Sequence, residues 1–415
     1  MTIILISLCT PTLNNIRAAS ALPYHLIKGA KEVDEKEEFE IYSYNINNIN
    51  EQDIKNVEIE LNTKIHLLKK SWWMIWMFKL HLGFLRILLR LPYLAYLHLP
   101  KHISEEISKG DPDIIWIYGE ELAGLARLFP KVRRIVTMPD CESMYYHRLL
   151  RKSFGTSSLL KTLKYTYAYY QYRKMEHENC VTADNVTYHF VGKADEDFYK
   201  EINPKAKTIF LSHPLYQTCD GAVGLKEKQF HSPIRVVIAG RNDIYQQEAI
   251  NHLVEALCYK EVAVKLSSAY HITFLGKGWD EPVNSLKDAG WQVDIKTWVD
   301  DYAEELQQHD IGLYPISVGT GTKGKVLDAF VNGLLVIGTP FALENIAVNV
   351  ACFEDYDNET GALCYSTAQE VINILADVMK HRKKYEHIAQ IGHRRVLKYH
   401  DRKSVAQYLF SPLQK

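Results

Sequence analysis

The sequence lacks any CxxC pair. Its seven cysteines (Cys9, Cys141, Cys180, Cys219, Cys258, Cys352 and Cys364) are scattered and odd in number. That argues against a disulfide framework and a zinc site, and for a reducing cytosol. A charge bias is missing too: 49 Lys and Arg face 50 Asp and Glu, so no nucleic-acid partner is expected without a local basic patch. There is no internal repeat, no low-complexity tract and no clustering of metal-ligating residues, so no metal is expected. The apolar start "MTIILISLCTPTL" has no basic n-region, and its apolar run is very short. It reads as a buried first strand rather than a signal peptide. One further absence is local: from Leu61 to Ser104 there is no Asp or Glu.

What is present is a globular composition, 47% hydrophobic and 24% charged, in a chain of 415 residues. That length is too great for one ordinary core, and two domains are expected. Apolar runs predict strands at "TIILIS", "FEIYSY", "DIIWIYG", "RRIVTMP" and "NVTYHFV", then at "IRVVIAG", "YHITFLG", "QVDIKTW", "DIGLYPI" and "LLVIGT". Helical spacing separates them at "QQEAINHLVEALCYK", "YAEELQQHD" and "GKVLDAFVNG". Alternation of this kind predicts an α/β protein with parallel sheets covered on both faces. Two series imply two doubly wound domains, over 1–215 and 234–395. A polar linker at 216–233 joins them, and a carboxyl-terminal helix at 396–415 returns to the first. In open α/β sheets ligands bind beyond the carboxyl ends of the strands, so the expected site is a cleft that the two domains face.

"GTGTKGK", Gly319 to Lys325, falls between the strand "DIGLYPI" and the helix "GKVLDAFVNG". Its glycines let backbone N–H groups approach a ligand, and the free N–H groups of a helix's first turn attract an anion. Lys323 and Lys325 add full charges. The spacing matches neither a P-loop nor a dinucleotide fingerprint, so a plain glycine-rich turn with solvated lysines stays open on these residues alone.

Three stretches in order narrow the choice: "VVIAGRNDIYQQEAINHLVEAL", "ITFLGKGWD" and "WVDDYAEELQQHDIGLYPISVGTGTKGKVLDAFVNGLLVIGTPFALENI". Together they resemble the carboxyl-terminal domain of glycosyltransferase family 4, the nucleotide-sugar enzymes of GT-B fold. In the first half, "RKMEHENCVTADNVTYHFVGKADEDF" and "TMPDCESMYYHRL" are more faintly similar to that family's amino-terminal domain. The resemblance implies two Rossmann-like domains facing a cleft and a UDP- or GDP-sugar donor, with no cofactor besides. It implies that Gly240, Gly319, Thr320, Gly321, Thr322 and Lys325 cradle the donor, and that Asp328 accepts bonds from ribose hydroxyls. Trp298 or Val299 would contact the base. Arg241 would neutralise the leaving diphosphate through its fork of donors.

Departures from the family pattern are specific. The first of its two usual glutamates falls on Thr320, and the second is shortened to Asp328. The lysine usual just beyond the arginine is replaced by Gln246 and Gln247, which puts Lys323 first in that role and Lys325 second. Asn14 and Asn15 stand where the family has a glycine pair. The implied reaction is sugar transfer with retention to a glycan or lipid-linked acceptor. The leaving phosphate itself takes the acceptor's proton, so no pair of carboxylates is required, unlike hydrolases. A sugar-nucleotide epimerase of the same architecture and a non-catalytic nucleotide-sugar-binding scaffold are the alternatives.

Asp140 and Glu142, after the strand "RRIVTMP", are candidates for orienting the acceptor, or are ordinary loop carboxylates. His213 reads as a surface or packing histidine, and Glu344 as a family acid or a cap. The acid-free stretch "KKSWWMIWMFKLHLGFLRILLRLPYLAYLHLPK", 69–101, would place Trp72, Trp76, Lys79, Arg86 and Arg90 near one stripe of an ideal helix. Charges and Pro92 argue against a spanning helix. Aromatic and basic residues suit docking on an anionic membrane surface, with packing inside the first domain as the alternative. The expected location is cytoplasmic, peripheral on the inner face of the cell membrane.

Overall fold

The computed structural model describes residues 1–15, 19–153, 158–217, 228–353 and 355–411. Two compact units emerge: Met1–Tyr216 together with Arg402 onward, and Gln217–Asp401. Each holds one wholly parallel sheet of seven strands. In the first unit the strands are β1 (Thr2–Ser7), β2 (Glu38–Ser43), β3 (Lys64–Leu67), β4 (Ile114–Tyr118), β5 (Arg133–Met138), β6 (Val186–Phe190) and β7 (Thr208–Phe210). Their order is β3-β2-β1-β4-β5-β6-β7. In the second they are β8 (Ile234–Ala239), β9 (Tyr270–Leu275), β10 (Gln292–Lys296), β11 (Ile311–Tyr314), β12 (Leu335–Gly338), β13 (Asn349–Cys352) and β14 (Thr360–Cys364). Their order is β10-β9-β8-β11-β12-β14-β13. The winding reverses between β1 and β4 in one sheet and between β8 and β11 in the other.

The central strands are apolar on both faces because both are covered. Ile4, Ile6, Ile115 and Ile117 join one core, while Ile3, Leu5, Ile114 and Trp116 join another on the opposite face. All ten strands read from the sequence are present. The four it does not show (β3, β7, β13 and β14) lie at or next to sheet edges. The edge strands β3, β7 and β13 are short and bury less, so an apolar run does not mark them; β13 is largely exposed, whereas β14 is buried but opens on Thr and Gly.

The chain returns to the first unit at Arg402, not at 396. Residues up to Tyr399 continue the helix Arg382–Tyr399 of the second unit. The helix Arg402–Phe410 then packs on Ala21–Val33, where a Cβ on Gly29 would lie 2.5 Å from the Arg402 carbonyl. Arg402 pairs with Glu32, and Arg133 donates to the carbonyls of Phe410 and Leu409 at 2.9 and 3.1 Å.

Of the expected linker 216–233, residues 218–227 lie outside the described residues, and Cys219 with them; the other six cysteines are free thiols. The stretch from Lys228 is not linker. Phe230 is buried in the core of the second unit, and the His231 and Arg235 amides donate to the buried Asp310 carboxylate at 3.0 and 2.8 Å.

The 69–101 stretch is not one helix. A helix spans Trp72–Lys79; His81 then takes φ 54, and 3-10 turns follow at Leu82–Leu88 and Tyr93–Tyr96. The expected single stripe is therefore broken at His81. Met74 is buried, and Trp73 packs edge-on to Tyr93 and Tyr96 at 5.6 and 6.0 Å. Trp72 is 75% exposed and Trp76 is also exposed. No helix among the described residues is long and apolar enough to cross a membrane.

Candidate functional site

In a parallel sheet every strand's carboxyl end lies on one edge. The loops after β8, β9, β10 and β11 therefore gather there, with the winding reversal between β8 and β11 at their centre. That is where the predicted residues of the second unit fall.

β8 ends at Ala239 and turns at Gly240, φ 118. A Cβ on Gly276, φ 132, would lie 2.1 Å from the Gly240 carbonyl, so the two turns meet backbone to backbone. The Trp279 indole donates to the same carbonyl at 2.9 Å. A Cβ on Gly240 would meet Lys325 Nζ at 2.6 Å, which places the Lys325 ammonium across the turn that carries Arg241. Gln246 holds it there: the Gln246 side chain accepts from Lys325 Nζ at 3.1 Å and donates to the Arg241 carbonyl at 2.5 Å. Burial pulls the Lys325 ammonium down to about 8, with Asp243 opposing and Lys323 assisting. The Arg241 side chain is exposed, and no ion pair or hydrogen bond engages its guanidinium among the described residues.

The glycine-rich loop precedes the helix Gly324–Val331, whose Val326, Leu327, Phe330 and Val331 are buried. The helix Arg382–Tyr399 backs it: His393 Nδ1 bonds the Phe330 carbonyl at 2.8 Å. Gly319 and Gly321 are buried, Thr320 and Thr322 half-buried. Lys323 folds back on its own loop, donating to the carbonyls of Thr320 and Gly321 at 2.5 and 2.9 Å. Asn345, beside Glu344, also donates to the Gly321 carbonyl, at 3.1 Å. The Tyr245 carbonyl accepts from the Ser317 amide at 2.7 Å, tying the Arg241 loop to this one.

Asp328, one turn into the helix, has its carboxyl pushed up to about 7 by burial. Burial and then the Asp328 charge also push up the Tyr302 phenol, so the two groups are close. Trp298 follows β10 and is 80% exposed, with no ring stacked on it among the described residues; Val299 is half-buried.

In the first unit Asp140 follows β5 and is half-buried. Around it lies a group of acids that sequence reasoning mostly missed. Glu176 accepts from the Ser143 amide at 2.9 Å and from the Ser143 hydroxyl, and Asp195 accepts from the Cys141 amide at 2.9 Å. Glu120 accepts from the Glu142 amide at 3.3 Å. Burial, then Asp140 and other acids, push Glu142 up to about 8; burial lifts Glu176 to about 7 against the Ser143 bonds. The one local signal was the acid pair in "YGEEL" at the end of a buried strand. These side chains form no metal-holding group among the described residues.

The other candidates have packing roles. Asn15 accepts from the Ser20 and Ala21 amides at 3.0 and 2.9 Å, closing the start of the helix Ala21–Val33. His213 is buried, bonding the Pro214 carbonyl at 2.9 Å and facing Tyr216.

Residues 248–411 match the Glyco_trans_1_2 family, described as glycosyl transferase-like. No curated protein matches the chain significantly. Among solved structures, HepE of Anabaena in complex with UDP is 12% identical with a TM-score of 0.59, covering 99% of this chain and 98% of that one. Sucrose-phosphate synthase of Thermosynechococcus elongatus is 12% identical with a TM-score of 0.60, over 98% and 97%. A glycosyltransferase of Rickettsia africae is 13% identical with a TM-score of 0.60, over 99% and 98%. At such identities the likeness is one of fold: the chain has the two Rossmann-like domains of the GT-B fold, and residues 248–411 carry the glycosyl transferase-like pattern.

Proposed function

We propose that the protein transfers a sugar from a nucleoside-diphosphate sugar to a glycan or lipid-linked acceptor, with retention and without a metal, as the resemblance to family 4 implies. The observation that carries this reading is the Lys325 ammonium held across Gly240 beside Arg241, at the winding reversal. Cleaving the bond to a diphosphate requires the departing oxyanion to be stabilised. Arg241, Lys325 and the amino end of Gly324–Val331 supply that charge. Lys325 takes precedence over Lys323, because the Lys323 ammonium is engaged with its own loop's carbonyls. Asp328 accepts the ribose hydroxyls, and Trp298 or Val299 meets the base. Asp140 orients the acceptor. The UDP complex of HepE supports uridine as the base.

Thermal shift with UDP, UDP-glucose and GDP, followed by an assay for glycosylated acceptor in chelator, tests the reading. The expected result is stabilisation by one nucleotide, growing with ligand concentration by mass action, and transfer that survives chelation. Free epimerised sugar nucleotide as the product would make it an epimerase; tight binding with no turnover would make it a scaffold.

The same proposal places 69–101 on an anionic membrane. Exposed Trp72, Trp76, Phe84 and Leu88 lie there, and the helix Leu159–Glu178 adds exposed Leu159, Leu160 and Leu163. Indole rings favour the headgroup boundary, and each basic residue near an anionic leaflet contributes about 1 kcal/mol. In liposome flotation, Trp72→Ser/Trp76→Ser should abolish binding at every salt concentration. Lys79→Glu/Arg86→Glu should weaken it at low salt and matter less at high salt. A parent protein that never floats with anionic liposomes would sink this placement.

A further inference from the structure

A pocket of about 890 Å³ lies within the first unit, between the 69–101 segment and the helix Leu159–Glu178. That is the size of a small-molecule site, roughly 300–1,000 Å³. Its walls are mostly apolar, with Ile75, Phe84, Ile87, Leu94 and Tyr172 among them. Hydrogen bonds build it: Tyr167 donates to the Leu89 carbonyl at 2.7 Å, Gln171 donates to the same carbonyl, and Tyr93 donates to the Met74 carbonyl at 2.7 Å. Four cations line it, Lys70, Lys79, Arg86 and Lys164, against one acid, Glu121. Burial pushes the Glu121 carboxyl up. Lys79 and Lys164 are exposed and form no ion pair among the described residues.

We propose that this pocket holds the hydrocarbon tail of a phosphate-headed lipid, with the phosphate on the lysines and arginine of its lining. The inference rests on the reading of a transferase with a membrane-borne acceptor, and names the carrier of that acceptor. A neutral sugar would leave the cations without a counter-charge, and a free phosphate would leave the apolar walls unused. An anionic amphiphile uses both. The exposed residues that would meet a bilayer belong to the two segments that wall the pocket, so one docking event serves both.

The test is calorimetry with dodecyl phosphate below its micellar concentration, beside neutral dodecyl maltoside and inorganic phosphate. The parent should bind dodecyl phosphate at least about tenfold more tightly than either control, as expected for charged hydrogen bonds. Ala168→Phe, which fills the pocket from Leu159–Glu178, should lose about tenfold or more. Lys79→Gln/Lys164→Gln should lose about tenfold for dodecyl phosphate alone. Unchanged stabilisation by UDP in each variant shows that the fold persists. Equal affinity for the phosphate and maltoside probes in the parent, or Ala168→Phe and the double variant both binding like the parent, would overturn the proposal. A parent that binds dodecyl phosphate as described yet gains nothing from UDP would keep the pocket and remove the transferase reading.

Discussion

Arg241→Ala and Lys325→Ala should each weaken UDP binding by about 1.5–3 kcal/mol, roughly 10- to 150-fold, as for hydrogen bonds to charged groups. The Arg241 guanidinium has no competing partner among the described residues, so the whole interaction is lost with it. Lys325 is restrained by Gln246 before any ligand arrives, so little ordering cost offsets its contribution. Gln246→Ala should then loosen the lysine and weaken binding by a smaller factor. Lys323→Ala should act mainly through the loop, because its ammonium holds the carbonyls of Thr320 and Gly321. Calorimetry on these four variants decides the order. Affinities unchanged in both Arg241→Ala and Lys325→Ala would remove the diphosphate assignment, and a larger loss in Lys323→Ala than in Lys325→Ala would restore Lys323 to first place.

UDP affinity should pass through a narrow maximum between about pH 7 and pH 8. Hydroxyl donors on a ribose favour a carboxylate over a carboxylic acid, and burial holds the Asp328 carboxyl at about 7. Binding therefore strengthens as pH rises through 7. A diphosphate favours an ammonium, and the Lys325 ammonium sits at about 8, so binding weakens as pH rises through 8. Asp328→Asn keeps the shape and half the acceptor capacity. It should flatten the low-pH limb, leaving only the terminal phosphate's own ionisation near pH 6. Lys325→Arg keeps its charge and should flatten the high-pH limb. Without ligand the sign for stability is opposite to that for binding. A carboxyl raised in the folded state contributes stability that is complete below the ordinary carboxylate range and lost as pH rises through 7. Apo Asp328→Asn should accordingly melt higher than the parent at pH 8. A parent affinity that does not change from pH 6 to pH 9 would show that neither group meets the ligand.

The sequence by itself determined the doubly wound architecture and the location of the glycine-rich stretch before the helix Gly324–Val331. Both are written in local patterns. "TIILIS" is the same six residues as β1, because a strand buried on both faces must be apolar throughout. "GTGTKGK" meets the helix Gly324–Val331 where glycine and the first buried valine change the periodicity. Only the tertiary structure decided which lysine reaches the Arg241 turn. The Lys325–Gln246 bond joins residues 79 apart in the chain, and the β8–β11 adjacency that permits it is a property of strand order. The acids around Cys141 and Ser143 come together in the same way, across separations of 33 and 54 residues, where no local period can show them. The 69–101 segment is the mixed case. Its composition left surface docking and core packing open as alternatives. Which residues serve which was decided by the face of the helix Trp72–Lys79 that packs inward, with Met74 buried and Trp73 against Tyr93 and Tyr96, while Trp72 and Trp76 stay exposed.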